Sequence, residues 1–224
     1  MPQRPTAKSA AKTKPTAQRK AAGSAKQSAR DKLLDAAVHV VRQKGYASTS
    51  VDDLCKEAGV TKGAFFHHFA SKEDLGVAAA RYWSDFTTEF FNSAPYQKLS
   101  DPLDRLLGYI DFRREILRGK VEDFTCLLGT MVQEAYETSP KIRQACDESI
   151  SRHATAVARD IVAAKKLYAP DARWDAEELA LFTQVVLQGS FILAKAKQGP
   201  AAAEASVLHL RRYIEFLFNK PTGR

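Results

Sequence analysis

A tight turn between two short helical segments constrains the fold of this chain more than any other feature of its sequence. Residues 51–58 and 61–68 each have the length and apolar spacing of a two-turn helix, and Gly59 interrupts the pattern between them. Ala58 and Gly59 are small at the point where the two helices must approach each other closely. The apolar positions that are spaced to form a small core here are Leu54, Ala58, Val60 and Phe65. The segment therefore predicts a packed pair of helices rather than two independent ones.

This arrangement is the geometry of the helix-turn-helix motif, whose second helix enters the major groove of DNA. Phe65 and Phe69 are predicted to face the core, which leaves the adjoining face of the second helix for contacts with DNA. Basic side chains and the free N–H groups at helix starts suit phosphates, a glycine lets the backbone approach DNA closely, and a methyl group suits thymine. The predicted DNA-contacting residues are Thr49, Thr61, Lys62, Gly63, Ala64, Phe66, His67, His68 and Lys72.

Two other interpretations of this segment stay open. It can be an ordinary helical hairpin inside a core, or His67 and His68 can form a metal or catalytic pair. Adjacent histidines on a helix point to different faces, and no acid or cysteine lies near them at ligand spacing, which disfavours the second.

Catalytic constellations are not apparent elsewhere in the sequence. We find no Ser/His/Asp, Cys/His or paired-carboxylate arrangement, so we expect neither an enzyme nor a metal or organic cofactor. An enzyme or chaperone-like helical protein with an incidental motif is the contrasting hypothesis.

The rest of the chain also has a helical pattern. Glycine and proline are sparse after residue 30, and no stretch shows sustained alternation of apolar and polar residues. The further helices are predicted at about residues 30–44, 72–95, 101–118, 123–137, 140–166, 175–197 and 201–219. The predicted fold class is therefore all-α.

The segments 45–51 and 58–75 resemble the N-terminal signature of the TetR (tetracycline-repressor) family. The resemblance covers roughly residues 30–75 and is specific, because a whole run of residues matches. One departure is Phe66, at a position where the family most often has tyrosine, and the missing hydroxyl would otherwise bond a phosphate.

The resemblance implies a division into two domains. It implies a three-helix DNA-binding domain at residues 30–75 and a helical effector-binding and dimerisation domain at residues 76–219. It further implies homodimers that repress transcription from a near-palindromic operator on double-stranded DNA, and release by a small-molecule effector.

The charge of the chain is concentrated in residues 1–29, which we predict to be a disordered basic tail. Residues 1–30 contain eight basic residues and no acid, and the remaining 26 basic residues equal the 26 acids in number. The tail can act as a DNA-binding arm that neutralises phosphates, or it can be a solvated extension with little effect. With no signal peptide, no membrane-spanning run and an odd number of cysteines, we expect a cytoplasmic protein.

An effector pocket in residues 76–219 would be lined by aromatic side chains, with a few polar groups as handles. Plain core packing is the alternative for each of them. The candidate effector-binding residues are Trp83, Phe86, Phe90, Phe112, Phe124, Cys126, Tyr136, Gln184 and Gln188.

Cys126 supports an alternative mechanism, a redox- or electrophile-sensing repressor. It is placed near a predicted helix start, where the thiolate form is favoured, and some members of the family that sense electrophiles look similar here. The alternative is that Cys126 is a small buried hydrophobe, which its neighbours Leu127 and Leu128 favour.

Apolar stripes on the last two predicted helices indicate a dimer face, and Gly189 would allow another helix to approach closely. Burial within the same subunit is the alternative. The residues of the two stripes are Leu181, Val185, Phe191, Ile192, Leu208, Leu210, Tyr213, Ile214 and Leu217.

Overall fold

The computed structural model describes residues 27–219, and the regular structure in this range is helical throughout, which confirms the predicted all-α class. The basic segment 1–26 lies outside the described residues. A 3-10 helix at Pro95–Lys98 separates the fourth and fifth α-helices. The α-helices are α1 (Ala29–Lys44), α2 (Val51–Ala58), α3 (Lys62–His68), α4 (Lys72–Asn92), α5 (Pro102–Glu115), α6 (Val121–Phe124), α7 (Leu127–Ala135), α8 (Pro140–Tyr168), α9 (Ala176–Ala196) and α10 (Ala201–Leu217).

A serine or threonine side chain caps the N-terminus of each of the first four helices. Ser28, Ser50, Thr61 and Ser71 each accept a hydrogen bond from the backbone N–H three residues later, which satisfies a donor that the helix itself leaves free. These caps fix the starts of α1 to α4 locally, so the sequence prediction placed α1 to α3 within one residue of their bounds.

Three predicted helices end earlier or break, and one of them, predicted at 101–118, ends at Glu115. The predicted helix at 72–95 ends at Asn92, because Pro95 holds the preceding residue in an extended conformation. The predicted helix at 123–137 is divided into α6 and α7, with Thr125 and Cys126 extended between them. Carbonyl groups freed by this break accept hydrogen bonds from Arg42 of α1.

The N-terminal core combines residues from distant parts of the chain. Helices α1 to α3 and the start of α4 contribute Leu33, Phe65 and Leu75, while α7 and α8 contribute Met131 and Ile142. The helix-turn-helix therefore shares one core with α7 and α8, which α1 and α4 contact directly. The predicted domain boundary at residue 75 falls inside α4, which runs from one core into the other.

The C-terminal core lies between α5, α8, α9 and α10, with the end of α4 packed against it. Its most buried side chains include Leu106, Ile110, Ile161 and Ile214. Helix α9 is also long and apolar enough to cross a membrane by length and composition, but here it packs against α8 and α10. Its apolar character is thus used partly for packing within the subunit.

Candidate DNA-binding interface and effector site

The turn between α2 and α3 is built by local interactions. Asp53 accepts a hydrogen bond from the backbone N–H of Ser50, and the Ser50 hydroxyl accepts one from the N–H of Asp53. Gly59 has the left-handed conformation (φ 63°, ψ 39°), which is accessible to glycine at no steric cost. The Thr61 hydroxyl then accepts from the N–H of Ala64 and starts α3. Because these contacts are local, the angle between the two helices follows from the sequence of the turn.

Helix α3 has one buried and one exposed face. Phe65 and Phe69 are buried in the N-terminal core, as predicted. Phe66 is 56% exposed although it is a large apolar side chain, so the fold of the monomer does not account for it. The exposed residues of this segment are Thr61, Lys62, Gly63, Phe66, His67 and His68, with Ala64 partly buried beside them.

Ion pairs restrain the basic residues around α3. Lys62 Nζ lies 2.8 Å from Asp52 Oδ1, and the hydrogen bond with Asp52 raises the pKa of Lys62. Lys44 Nζ lies 2.7 Å from Asp53 Oδ2, and this contact lowers the pKa of Asp53. Lys62 must therefore leave Asp52 to reach a phosphate or a guanine, and these pairs leave the exposed face of α3 only weakly cationic.

Two of the residues predicted to contact DNA use their side chains within the fold. Thr49 is buried, and its hydroxyl donates to the carbonyl of Gly45 at 2.6 Å. Lys72 Nζ donates to the carbonyls of Tyr46 and Thr49 at 3.1 and 2.9 Å, and it lies over the Tyr46 ring. Burial lowers the pKa of Lys72. Both side chains hold the segment between α1 and α2 in place.

Helix α7 contacts this same segment from the other side, which the sequence analysis did not foresee. The carboxylate of Glu134 accepts from the backbone N–H of Ala47 at 2.7 Å. It also lies so close to Gly45 that a Cβ at this position would be 2.4 Å from its oxygen. A shift of α7 would therefore act directly on the chain that enters α2.

Arg42 is the second connection between the two parts of the chain. Its side chain is only 9% exposed, and its guanidinium donates to the carbonyls of Asp123 and Thr125. Burial lowers the pKa of Arg42, and the guanidinium lies over the ring of Trp83. Arg42 thus joins α1 to α4 and to the break between α6 and α7.

Four of the candidate effector-binding residues form a continuous aromatic chain along α4 and α5. The ring centroids of Trp83 and Phe86 are 6.0 Å apart, those of Phe86 and Phe90 6.2 Å, and those of Phe90 and Phe112 5.3 Å. Phe90 is exposed and the other three are partly buried. The structure therefore brings these four together in one row, which runs from Trp83 at the N-terminal core to Phe112 at the C-terminal core.

The remaining candidates are more scattered. Phe124 is buried in the C-terminal core. Gln184 is also buried, and its amide N–H groups donate to the hydroxyls of Tyr109 and Thr183. Gln188 packs against Gly129 of α7. Tyr136 is 55% exposed at the end of α7 and makes no ring contact with Trp83, Phe86, Phe90 or Phe112 in the described structure, so it lies apart from the aromatic chain.

Cys126 is the N-cap residue of α7 and lies partly buried between the two cores. Its position at a helix start agrees with the sequence analysis. The side chains of Arg42 and Lys195 lie near it. Cys55 and Cys146 are buried, and burial raises the pKa of Cys146 to about 12. Among the described residues no group of three metal-binding side chains comes together.

A polar cluster that sequence analysis missed lies beside the aromatic chain. Tyr109 and His153 are 2.9 Å apart (Oη to Nε2), and Arg113 contacts both of them. Burial and the charge of Arg113 lower the pKa of His153 to about 3, so the imidazole is neutral at pH 7. These residues are separated by up to 44 positions, and no local pattern in the sequence connects them.

The stripes on α9 and α10 are divided between core and surface. Phe191, Leu210 and Ile214 are buried within the subunit. The opposite side carries exposed apolar side chains, three of which the sequence analysis did not select. They are Leu181, Phe182, Val185, Ile192, Leu193, Tyr213 and Phe216. Gly189 lies on this side, with nothing within 4 Å of the position of a Cβ.

Comparison with known proteins agrees with this architecture. Residues 33–79 match the family model of bacterial regulatory proteins of the tetR family, and residues 102–204 match the C-terminal domain of LmrA/YxaF-like transcriptional regulators. The chain is 30% identical over 106 residues to the transcriptional regulator AcuR of Cereibacter sphaeroides, and 31% identical over 122 residues to the regulator CymR of Pseudomonas putida. These alignments cover 47% and 54% of this chain, but only 48% and 58% of the two relatives.

Solved structures extend the similarity over most of the chain. A regulatory protein TetR from Rhodobacter sphaeroides superimposes with a TM-score of 0.74 and 25% identity, covering 83% of this chain and 98% of that one. The reduced form of NemR from E. coli shares the fold at a TM-score of 0.69 and 21% identity, over 83% of this chain and 96% of that one. The two family models and these structures together show that the chain belongs to the TetR family of bacterial transcriptional regulators.

Proposed function

We propose that this protein is a DNA-binding transcriptional repressor that a small-molecule effector releases from its operator. The observation that carries the proposal is the exposed face of α3. Phe65 and Phe69 fix the helix on the core, while Lys62, Gly63 and Phe66 point away from it. An exposed cation, an open backbone and an apolar side chain on one short helix suit the edges of bases in a major groove.

A homodimer is the second part of the proposal. The exposed apolar side of α9 and α10 provides a face that a second copy of the same face would cover. A two-fold axis there would place the two α3 helices in successive major grooves, roughly 34 Å apart. The operator would then be a near-palindrome. Predicted contacts at Thr61, Lys62, Gly63, Ala64, Phe66, His67 and His68 would occur once in each half-site.

Release by an effector would use the connections between the cores. Binding near the aromatic chain would favour one arrangement of α4, α6 and α7 over another. Trp83 lies under Arg42 of α1, and Glu134 of α7 holds the backbone of Ala47. These interactions would carry the change to the segment that enters the helix-turn-helix. The DNA of a bacterial cell lies in the cytoplasm, so the protein would act there.

The experiment for the proposal is a gel shift with the DNA upstream of the protein's own coding sequence. We expect a discrete complex that resists a large excess of unrelated DNA and maps to a near-palindrome. Binding that is abolished by the same competitor on every fragment tested would contradict a sequence-specific regulator.

A second candidate mechanism is sensing of oxidants or electrophiles through Cys126. It is favoured by the position of Cys126, which starts α7, lies partly buried between the two cores and is near the side chains of Arg42 and Lys195. The Lys195 ammonium is held in this region by a hydrogen bond to Thr130 at 2.6 Å. Modification at the break between α6 and α7 would disturb the carbonyls that Arg42 binds.

The test is release of DNA by an electrophile such as N-ethylmaleimide, compared between the wild type and Cys126→Ser. Cys55→Ser is the control for a buried thiol elsewhere in the chain. Release that persists in Cys126→Ser would exclude this mechanism, and release that is abolished only in that variant would support it.

A further inference from the structure

The polar cluster of Tyr109, Arg113, His153 and Gln184 has more hydrogen-bond donors than acceptors. Arg113 Nε donates to Tyr109 Oη at 3.0 Å, and Gln184 Nε2 lies 3.3 Å from the same oxygen. Arg113 Nη2 and Tyr109 Oη both lie 2.9 Å from His153 Nε2. Four N–H or O–H groups thus converge on two acceptor atoms, and the single lone pair of Nε2 has to serve two of them.

The cluster also has an uncompensated positive charge. No carboxylate oxygen of residues 27–219 lies within 4 Å of the Arg113 guanidinium, although nearby arginines are paired, Arg105 with Asp160 and Arg211 with Asp111. His153 is neutral at pH 7, so the charge of Arg113 is the net charge of the cluster. A partly buried cation with surplus donors around it lacks an anion that brings acceptor oxygens.

We propose that Arg113, with Tyr109, His153 and Gln184, is the binding site for the anionic group of the effector, a small organic acid with an aryl or alkyl body. This inference rests on the proposed function, in which the C-terminal core binds an effector. A carboxylate would give Arg113 a bidentate partner and would accept from Tyr109 and Gln184, which resolves the excess of donors.

The aromatic chain provides the surface for the body of such an acid. The guanidinium carbon of Arg113 lies 4.2 Å from the ring centroid of Phe91, and Phe91 contacts Phe90 and Phe112. The charged group and the apolar surface are therefore adjacent, as an acid with an apolar body requires. The neutral amide of the same shape would keep the apolar interactions and one acceptor oxygen, but it would lack the negative charge and the second acceptor oxygen.

The same geometry connects the site to the DNA-binding part. From Phe90 the aromatic chain continues through Phe86 to Trp83, whose ring lies under Arg42 of α1. A ligand that moves the rings around Arg113 therefore acts along α4 on a residue of the helix that supports the helix-turn-helix.

The test is calorimetric titration of the full-length protein with two acids and their amides: octanoate against octanamide, and phenylacetate against phenylacetamide. We expect at least one acid to bind about tenfold tighter than its amide, which is the ratio that a charge-assisted hydrogen bond supplies. Arg113→Gln should abolish that preference, while Arg114→Gln, a change at the exposed neighbouring residue, should keep it.

Equal binding of acid and amide by the wild type, an unchanged preference in Arg113→Gln, or no measurable binding of either acid would each overturn the inference. If Arg113→Gln does not fold, Arg113→Lys replaces it, because lysine keeps the charge but cannot bind a carboxylate through two parallel N–H groups. The comparison of acid with amide in the wild type then decides the question. DNA binding is measured on the same samples. Intact DNA binding without acid binding would reject only the anion site, and acid binding without DNA binding would reject the proposed function.

Discussion

The guanidinium carbon of Arg42 lies 4.8 Å from the centroid of the Trp83 ring, at the point where α1 of the N-terminal core meets α4. The same guanidinium donates to the carbonyls of Asp123 and Thr125, where the chain breaks between α6 and α7. One side chain thus joins three elements that belong to both cores. Burial of this charge is costly, and the hydrogen bonds, the ring and the nearby charges of Asp123 and Glu122 stabilise it.

Replacing Arg42 should destabilise the fold. Arg42→Met fills similar volume but leaves the carbonyls of Asp123 and Thr125 without this donor, which should lower the free energy of unfolding by about 2 kcal/mol. Urea denaturation followed by circular dichroism measures the change. Arg114→Met, at an exposed position on α5, is the control and should stay within about 0.5 kcal/mol of the wild type. Equal stabilities of the two variants would contradict the role given to Arg42.

The exposed apolar side of α9 and α10 should be the dimer interface. Val185 is 61% exposed in the subunit, so Val185→Glu should leave the monomer folded and place two charges in the interface. Light scattering after size-exclusion chromatography should show a dimer for the wild type and a monomer for this variant. Val162→Glu makes the same change at an exposed position on α8 and should stay dimeric. A dimeric Val185→Glu would place the interface elsewhere.

The neutral His153 should make the fold sensitive to acid. Its pKa is about 3 in the folded protein and about 6.5 in the unfolded chain, so between these values only the unfolded chain binds the proton. Stability should therefore fall as the pH falls below about 6.5, by up to about 1.4 kcal/mol per pH unit from this group.

The comparison that isolates His153 is chemical denaturation of the wild type and His153→Gln between pH 7 and pH 4. The difference in unfolding free energy between them should change over this window, because the variant no longer has the titrating group. His209→Gln, at an exposed position, should follow the wild type. A constant difference between the wild type and His153→Gln would show that His153 is protonated at similar pH in both states.

The basic N-terminal segment should contribute an electrostatic part of DNA affinity. Seven basic residues and no acid occur in residues 1–26, whereas the basic residues around α3 are held in ion pairs. Removing residues 1–26 should weaken binding and reduce the slope of log K against log salt concentration by about 0.9 for each phosphate that the segment neutralises. The measurement is fluorescence anisotropy at several salt concentrations. An unchanged slope would show that this segment does not bind phosphates.

What the sequence predicts well here is local. Helix α2 has the predicted bounds, because Ser50, Asp53 and Gly59 determine its start and end within a few residues. Thr49 and Lys72 are predicted to contact DNA because they flank helix starts, and in the structure their side chains donate to carbonyls of the turn after α1. Whether a side chain at a helix start faces outward depends on packing that such a pattern does not contain.

The regulatory part of the molecule depends on interactions between distant residues. Arg42 is more than 80 positions from the carbonyls that it binds, and Arg113 is 40 positions from His153. The residues of the aromatic chain on α4 and α5 can be chosen from the sequence because they are aromatic. Tyr136 is aromatic as well, but it lies outside that chain. Spacing along the chain gives no measure of such interactions, so these residues emerge only from the fold.

The central claim is that the exposed face of α3 binds a specific DNA sequence, and fluorescence anisotropy with the isolated operator fragment tests it most directly. Lys62→Ala and Phe66→Ala should each weaken binding about tenfold or more without changing the fold, because both side chains are exposed. Lys98→Ala, an exposed lysine far from α3 in sequence, is the control and should bind like the wild type. Wild-type affinity in both α3 variants would contradict the account and would place DNA recognition elsewhere on the molecule.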